Sequence, residues 1–309
     1  MDNKIYIIGH QSPDLDSVAA AIIYADYKNK KENANKYIPV VAGQVNKVTE
    51  FVLNKFGFMA PEILQDASNQ QLILVDHNEE SQQVEGENKD IIEILDHHKI
   101  NFAGDKPIRV DVWPLGSSNS IIYNKYKQAG IKIDKNLAGL MLSAVLDDTV
   151  ITKSPTCTEA DKNIIQELSD LAGISDWQNY GIKMFKVKSN LDAMSENKII
   201  KMDYKDFMLG SCKFGIGQVE TVDLKGLKNR EDKIVEEMDK IRQTDGQHTV
   251  MLVMTDILQG GSQILVSSKE PAGIEEAFNV KLENNRVYID GLISRKKQIV
   301  PALTKIFDN

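Results

Sequence analysis

The sequence predicts an α/β protein with a parallel-sheet N-terminal domain and a smaller α/β C-terminal domain. Three observations carry this reading. Short apolar runs alternate with helix-like segments through the first half, which implies a parallel sheet covered on both faces. The alternation stops after about Val187, and a second, strand-rich pattern follows. The length of 309 residues suits two domains of ordinary size.

The elements follow in chain order. Residues 4–9 (KIYIIG) form a buried-type strand, and 17–30 an Ala/Ile/Tyr-rich helix ending in lysines, which suit a helix C-terminus. Residues 37–41 read as a strand and 47–55 as a helix closed by Gly57. Residues 71–75 (QLILV) and 91–95 (IIEIL) are further short apolar runs. Helices follow at 118–129, stopped by Gly130, at 137–146, nearly all apolar, and at 158–171. Thr156 and Glu159 stand at capping-box spacing ahead of the last of these, and Gly173 stands behind it. The polar stretch around 188–193 reads as a linker, giving domains at 1–188 and 195–309 joined by 189–194. Beyond it, 207–222, 249–258, 263–267 and 286–292 read as strands. Residues 226–243 and 270–278 read as helices, and a short helix ends the chain after Ser294-Arg295-Lys296-Lys297.

Composition narrows the function. With 42 % hydrophobic and 27 % charged residues the chain is an ordinary globular one, not a disordered, collagenous or disulfide-built one. Cys157 and Cys212 make no framework and have no metal-motif spacing, which points to the reducing cytoplasm. No apolar run approaches the length of a membrane span, and the N-terminus lacks a signal-peptide pattern, so no membrane partner is expected. A net charge of −8 disfavours long nucleic acid, whose binding rests on excess Lys and Arg. A small anion held through metal ions remains compatible with it.

The chemistry sits where the strands end. After KIYIIG comes His10-Gln11-Ser12-Pro13-Asp14-Leu15-Asp16, after QLILV comes Asp76-His77, and after IIEIL comes Asp96-His97-His98. The apolar helix runs into Asp147-Asp148. In a doubly wound sheet the carboxyl ends of the strands share one edge, and ligands bind there. His10, Asp14, Asp16, Asp76, His97 and Asp148 thus offer two imidazoles and four carboxylates to a divalent metal site. So many carboxylates together would repel unless cations neutralised them. The set is rich enough for two ions sharing a carboxylate, and mixed N/O ligation without thiolate favours Mn, Co, Fe or Zn. Singly, each Asp has a simpler reading: Asp16 as a cap of the helix starting at Ser17, and Asp14 as a turn residue after Pro13. Caps have no need of histidine, so the joint pattern favours metal. His77 is as readily a packing residue as a functional one.

His10-x-x-x-Asp14-x-Asp16, the strand-ending Asp76 and Asp96-His97-His98 resemble the motifs of the DHH phosphoesterase superfamily. Ser294-Arg295-Lys296-Lys297-Gln298 resembles the signature of its DHHA2-type second domain. With residues 140–144 (LMLSA) and Ser154-Pro155-Thr156, the chain resembles the family II inorganic pyrophosphatases along essentially its whole length. The resemblance implies a cytoplasmic, homodimeric enzyme, paired through its N-terminal domain. It would hydrolyse pyrophosphate to two phosphates by a metal-bridged hydroxide between two domains that close on the substrate. It implies two Mn²⁺ per subunit, replaceable by Co²⁺, with further Mg²⁺ or Mn²⁺ arriving with substrate. His10, Asp14 and Asp76 would hold the first ion, and Asp16, Asp76, His97 and Asp148 the second, with Asp76 bridging. His98, Lys205, Arg295 and Lys296 would bind phosphate. Composition alone would not select Lys205, which reads as a solvated lysine. Two positions depart from the family pattern: Ser12, where Asn is usual, and Asp147, an additional carboxylate beside Asp148 able to alter metal preference. An exopolyphosphatase or another DHH-type phosphoesterase is the alternative. The DHH nucleases usually carry a Gly-Gly-Gly-His sequence, where this chain has only Gln259-Gly260-Gly261-Ser262.

Overall fold

The computed structural model describes residues 4–189 and 191–308. The chain divides into two compact units, Met1–Lys188 and Ser189–Asn309.

The first unit runs β1 (Ile5–Ile8), α1 (Leu15–Glu32), β2 (Tyr37–Val41), α2 (Lys47–Phe56), β3 (Glu62–Ile63), β4 (Gln71–Val75), β5 (Asp90–Asp96), β6 (Arg109–Val112), α3 (Ser118–Ala129), α4 (Lys135–Asp148), α5 (Glu159–Ala172) and α6 (Trp177–Ser189). The strands lie in the order β3-β2-β1-β4-β5-β6, with every neighbouring pair parallel. The order reverses between β1 and β4, which opens a crevice at their carboxyl ends. Strand residues alternate between two faces. Ile8, Leu72, Leu74 and Ile94 form one buried face, closed by Ala67, Val84, Phe102 and Ile108 from connecting segments rather than by helices. Ile7, Ile73 and Leu95 are buried on the other face, where α1 packs on β1 and β4 and is backed by α3 and α4.

Several sequence expectations need correction here. β3 and β6 escape notice because Glu62–Ile63 and Arg109–Val112 carry no apolar run; β3 and β6 are the sheet's two edges. α6 also goes unread, since Gly181 interrupts it and Lys183, Lys186 and Lys188 fall among its apolar residues. The capping box of α5 is Thr158 with Asp161, not Thr156 with Glu159: Thr158 Oγ accepts from Asp161 N, and Asp161 Oδ2 accepts from Thr158 N. Of the segment 189–194, Ser189 closes α6, Asn190 lies outside the described residues, and a 3₁₀ turn covers Leu191–Ala193.

The second unit contains α7 (Glu196–Ile200), β7 (Lys205–Leu209), β8 (Cys212–Thr221), α8 (Leu224–Lys228), α9 (Glu231–Thr244), β9 (Thr249–Asp256), β10 (Gly261–Ser268), α10 (Pro271–Phe278), β11 (Arg286–Asp290), a π-helical turn (Arg295–Ile299) and α11 (Val300–Phe307). Its sheet has the order β11-β10-β9-β8-β7 and is antiparallel except between β8 and β9. Alternation along β9 feeds two cores. Val250 and Leu252 pack with Ile234 and Met238 of α9, while Met251 and Val253 pack with Ile274 of α10 and Leu303 of α11. Among the described residues no helix is long and apolar enough to cross a membrane.

Candidate metal centre

The carboxyl ends of β1, β4 and β5 bring their polar residues to one edge of the first sheet, and α4 ends beside them. α1 begins at Leu15, so Asp14 rather than Asp16 is its cap: Asp14 Oδ1 accepts from Ser17 N at 2.9 Å. Its second oxygen lies 3.5 Å from His10 Nε2, so one carboxylate serves the helix and the site together. Asp16, in the first turn of α1, is buried.

Asp76 follows β4 with φ of 61°, a left-handed conformation that costs a non-glycine residue on the order of 1–3 kcal/mol. Its Oδ2 lies 3.6 Å from His10 Nε2, and its Oδ1 lies 3.3 Å from His97 Nε2. His97 Nε2 in turn lies 3.2 Å from Asp148 Oδ2. The ring of His97 is fixed from behind, where Nδ1 pairs with the Leu115 carbonyl at 2.9 Å. That bond leaves Nε2 facing the carboxylates, the orientation a metal-binding imidazole needs.

Two groups of potential ligand atoms result, each with all its atoms within 4.8 Å of one another: His10, Asp14 and Asp76, and Asp16, Asp76, His97 and Asp148. They share Asp76. All six metal candidates read from the sequence are therefore brought together. His97 Nε2 and Asp148 Oδ2 are buried without a hydrogen-bond partner, an arrangement a cation would complete. The donor set is imidazole and carboxylate without thiolate, which fits Mn²⁺.

The electrostatics describe a cluster short of positive charge. Burial, then the charge of Asp76, pushes Asp16 up to about 7, and burial with Asp16 and Asp76 pushes Asp148 up to about 9. Burial alone would lower the two imidazoles, but their carboxylate partners outweigh it and raise His10 and His97 to about 10 each. Burial would likewise raise Asp76, yet the His10 and His97 imidazoles beside its two oxygens hold it well below the usual carboxylate range. Shifts in these directions mark a cluster whose charge divalent cations would balance.

His98 lies at the open side, half exposed, and lines a pocket with His10, Asp14, Asp76 and Asp148. Asp96 holds its Nδ1. His77 lines the same pocket but is buried, with Nδ1 on the Val75 carbonyl. Asp147 is turned away: Lys188 Nζ reaches its two oxygens at 2.9 and 3.1 Å. In the second unit, Lys205 and Lys296 are exposed. Arg295 is buried at 6 % exposure, its guanidinium donating to Asp203 Oδ2 at 2.8 Å, to the Ile216 carbonyl at 3.0 Å and to the Asp203 carbonyl. Asp203 Oδ1 also lies 3.8 Å from Lys205 Nζ.

The sequence reading missed the turn entering α3. Ser117, Ser118 and Asn119 all donate to Asp16 or Asp76. Serine and asparagine before a helix look like ordinary caps, so only the fold reveals their target.

The DHH family, N-terminal domain, matches residues 4–145, and the DHHA2 domain matches residues 182–306. Fold and matches together define a two-domain protein of the DHH and DHHA2 class. The chain is 42 % identical over 306 residues to the manganese-dependent inorganic pyrophosphatase of Bacillus subtilis, covering 97 % of this chain and 98 % of that one. It is 40 % identical over 311 residues to that of Methanothrix thermoacetophila, covering 99 % of each. A crystal structure from Methanococcus jannaschii, assigned to the family II inorganic pyrophosphatases, superposes with a TM-score of 0.61 at 37 % identity, covering 99 % of this chain and all of that one. The chain belongs to the family of manganese-dependent inorganic pyrophosphatases.

Proposed function

We propose that the protein hydrolyses inorganic pyrophosphate to two phosphates with two Mn²⁺ ions per chain. One ion would be held by His10, Asp14 and Asp76, and the other by Asp16, Asp76, His97 and Asp148. The observation that carries the pairing is that the two oxygens of Asp76 face two different imidazoles, His10 and His97. Co²⁺ would substitute, and further Mg²⁺ or Mn²⁺ would arrive with the substrate. When bound, two such ions supply positive charge at the phosphoryl oxygens and acidify a water for attack on phosphorus. The water oxygen adds to one phosphorus as the bridging P–O bond breaks, and the bridging oxygen leaves with the second phosphate.

The chain's own groups do the rest. His98, charged and held by Asp96, donates from Nε2 to a phosphoryl oxygen. Lys205, Arg295 and Lys296 are carried over by resemblance as phosphate-binding cations. The exposure of Lys205 and Lys296 suits a substrate contact, whereas the present bonds of Arg295 serve its own unit. Neutralising charge that develops as the leaving group departs is worth several kcal/mol in comparable sites, about 2.7–4 for one donor.

A second copy of the chain is the partner we propose. β6 is a sheet edge with Val110 exposed and Trp113 exposed just beyond its end, and an edge strand with apolar residues invites pairing through this unit. We assign the protein to the cytoplasm on its two free cysteines, and no nucleic-acid partner on its net charge. The test is phosphate release from pyrophosphate, tripolyphosphate and a dinucleotide after full chelation and Mn²⁺ return. Pyrophosphate should be cleaved far faster than the other two. Preference for tripolyphosphate would make the protein an exopolyphosphatase instead.

A further inference from the structure

The turn Gly116-Ser117-Ser118-Asn119, which leads into α3, spends its side chains on the candidate ligands. Asp16 Oδ1 accepts from Asn119 Nδ2 at 2.9 Å and from the Ser117 hydroxyl, and Asp16 Oδ2 accepts from the Ser118 backbone N–H at 2.8 Å. Ser118 Oγ donates to Asp76 Oδ1 at 3.0 Å. Asn119 Nδ2 also reaches the Asp16 backbone carbonyl at 3.1 Å. All these residues are buried.

The turn is itself fastened. Asp161, wholly buried, accepts from Gly116 N at 2.9 Å and from Ser120 Oγ at 2.6 Å, and it closes the capping box of α5 through Thr158. A Cβ at Gly116 would come within 2.6 Å of Thr149 Cγ2 and 3.1 Å of Asp161 Oδ2, so the backbone approach needs glycine. Capping accounts for only one of the three polar side chains: Ser117 Oγ accepts from Asn119 N at 3.0 Å. The hydroxyl of Ser118 and the amide of Asn119 do nothing for the helix.

We infer that Ser118 and Asn119 are positioning residues for the metal pair, aiming the free lone pairs of Asp76 and Asp16 at the ions. This rests on the reading that these two aspartates hold metal. A carboxylate has about four lone-pair sites. Asp16 has three filled by the turn, so a single direction is left for an ion. The donors are also neutral. A lysine or arginine in their place would satisfy the carboxylate charge and compete with the cation, whereas a hydroxyl, an amide and a peptide N–H fix direction and leave the charge to the metal.

The side chains of Ser118 and Asn119 touch different ligands, Asp76 and Asp16, which gives the test its shape. Mn²⁺ binding to the chelated full-length protein is measured by calorimetry, alongside the melting temperature of the chelated form. Asn119→Ala should weaken one of the two sites by about 10–100-fold, and Ser118→Ala should weaken both by a similar factor. Ser118→Thr keeps the hydroxyl and should restore most of the affinity; it also serves as the readout should Ser118→Ala fail to fold, since Mn²⁺ binding far below wild type in this variant would then overturn the assignment. A purely structural turn predicts the reverse: a lower melting temperature in the chelated variants with unchanged Mn²⁺ affinity, which overturns the positioning role. Wild-type protein that binds no Mn²⁺ would instead overturn the metal assignment beneath it.

Discussion

His98 Nδ1 and Asp96 Oδ1 stand 2.9 Å apart, and Asp96 is wholly buried. Asp96 also accepts the backbone N–H groups of His97 and His98 and the side-chain amide of Asn78 at 2.6 Å. The carboxylate therefore fixes the tautomer of His98 and presents Nε2 to the pocket. The hydrogen bond to Asp96 raises the pKa of His98 above the ordinary imidazole value, despite burial.

The first prediction follows from that bond. If protonated His98 neutralises a phosphoryl oxygen, activity falls as pH rises through its pKa. Asp96→Asn removes the charge that raises it, so this limb of the kcat/KM profile should move to lower pH, with a loss of about tenfold or more at neutral pH. The profile of the Mn²⁺-loaded variant is the measurement, and an unmoved limb would separate His98 from the reaction.

Asp76 gives the second. Asp76→Asn should weaken both ions together, whereas Asp148→Asn should weaken mainly one. Elemental analysis of the metal content reads the difference; loss of one ion alone from Asp76→Asn removes the bridging role.

The third concerns pH and metal affinity. A metal takes neutral imidazoles and ionised carboxylates. In the ion-free chain His10 and His97 keep their protons up to about 10, Asp148 up to about 9 and Asp16 up to about 7. Mn²⁺ must displace these protons, so affinity should climb with pH from 6 to about 9. Calorimetry in buffers of different ionisation enthalpy should register proton release on binding. Affinity that is flat across that range contradicts the charge state described for the cluster.

Arg295 and Lys296 are neighbours with opposite expected behaviour. Arg295→Ala unpairs the Ile216 carbonyl and Asp203, and should cost about 1–3 kcal/mol of stability in the second unit. Lys296 is exposed, so Lys296→Ala should leave the melting curve in place and raise KM for pyrophosphate. An unaltered KM in Lys296→Ala would make the basic triplet a solvated surface feature.

Asp147 supplies the last prediction. Its oxygens are engaged by Lys188 in α6, so its charge is balanced outside the metal cluster. Asp147→Asn should change the Mn²⁺-to-Mg²⁺ activity ratio by no more than a few-fold. Lys188→Ala, which leaves a buried carboxylate unpaired, should be the more destabilising of the two. A large shift in metal preference from Asp147→Asn would return that residue to the site.

Much of this was legible in the sequence. The apolar runs of β1, β4 and β5 end in Asp and His, and parallel topology turns three distant segments into one edge. Residues such as His10 and His97 stand out because a turn has no other use for imidazole. What stayed hidden depends on tertiary neighbours. β6 is an edge strand without an apolar run, and Ser118 and Asn119 resemble any helix start until Asp16 and Asp76 arrive beside them. The burial of Arg295 could not be read either, because its partners Asp203 and Ile216 lie far away in the chain.

The candidate ligands come from four separate segments: the loop after β1 with the first turn of α1, the ends of β4 and β5, and the end of α4. No short stretch of chain holds a complete site, so an ion has little to grip before the sheet has assembled. Mn²⁺ should then arrive late, bound by a chain already folded. It would leave the rate of folding nearly untouched and slow unfolding in proportion to its affinity. The kinetic lifetime of the native chain would be set by the metal supply around it.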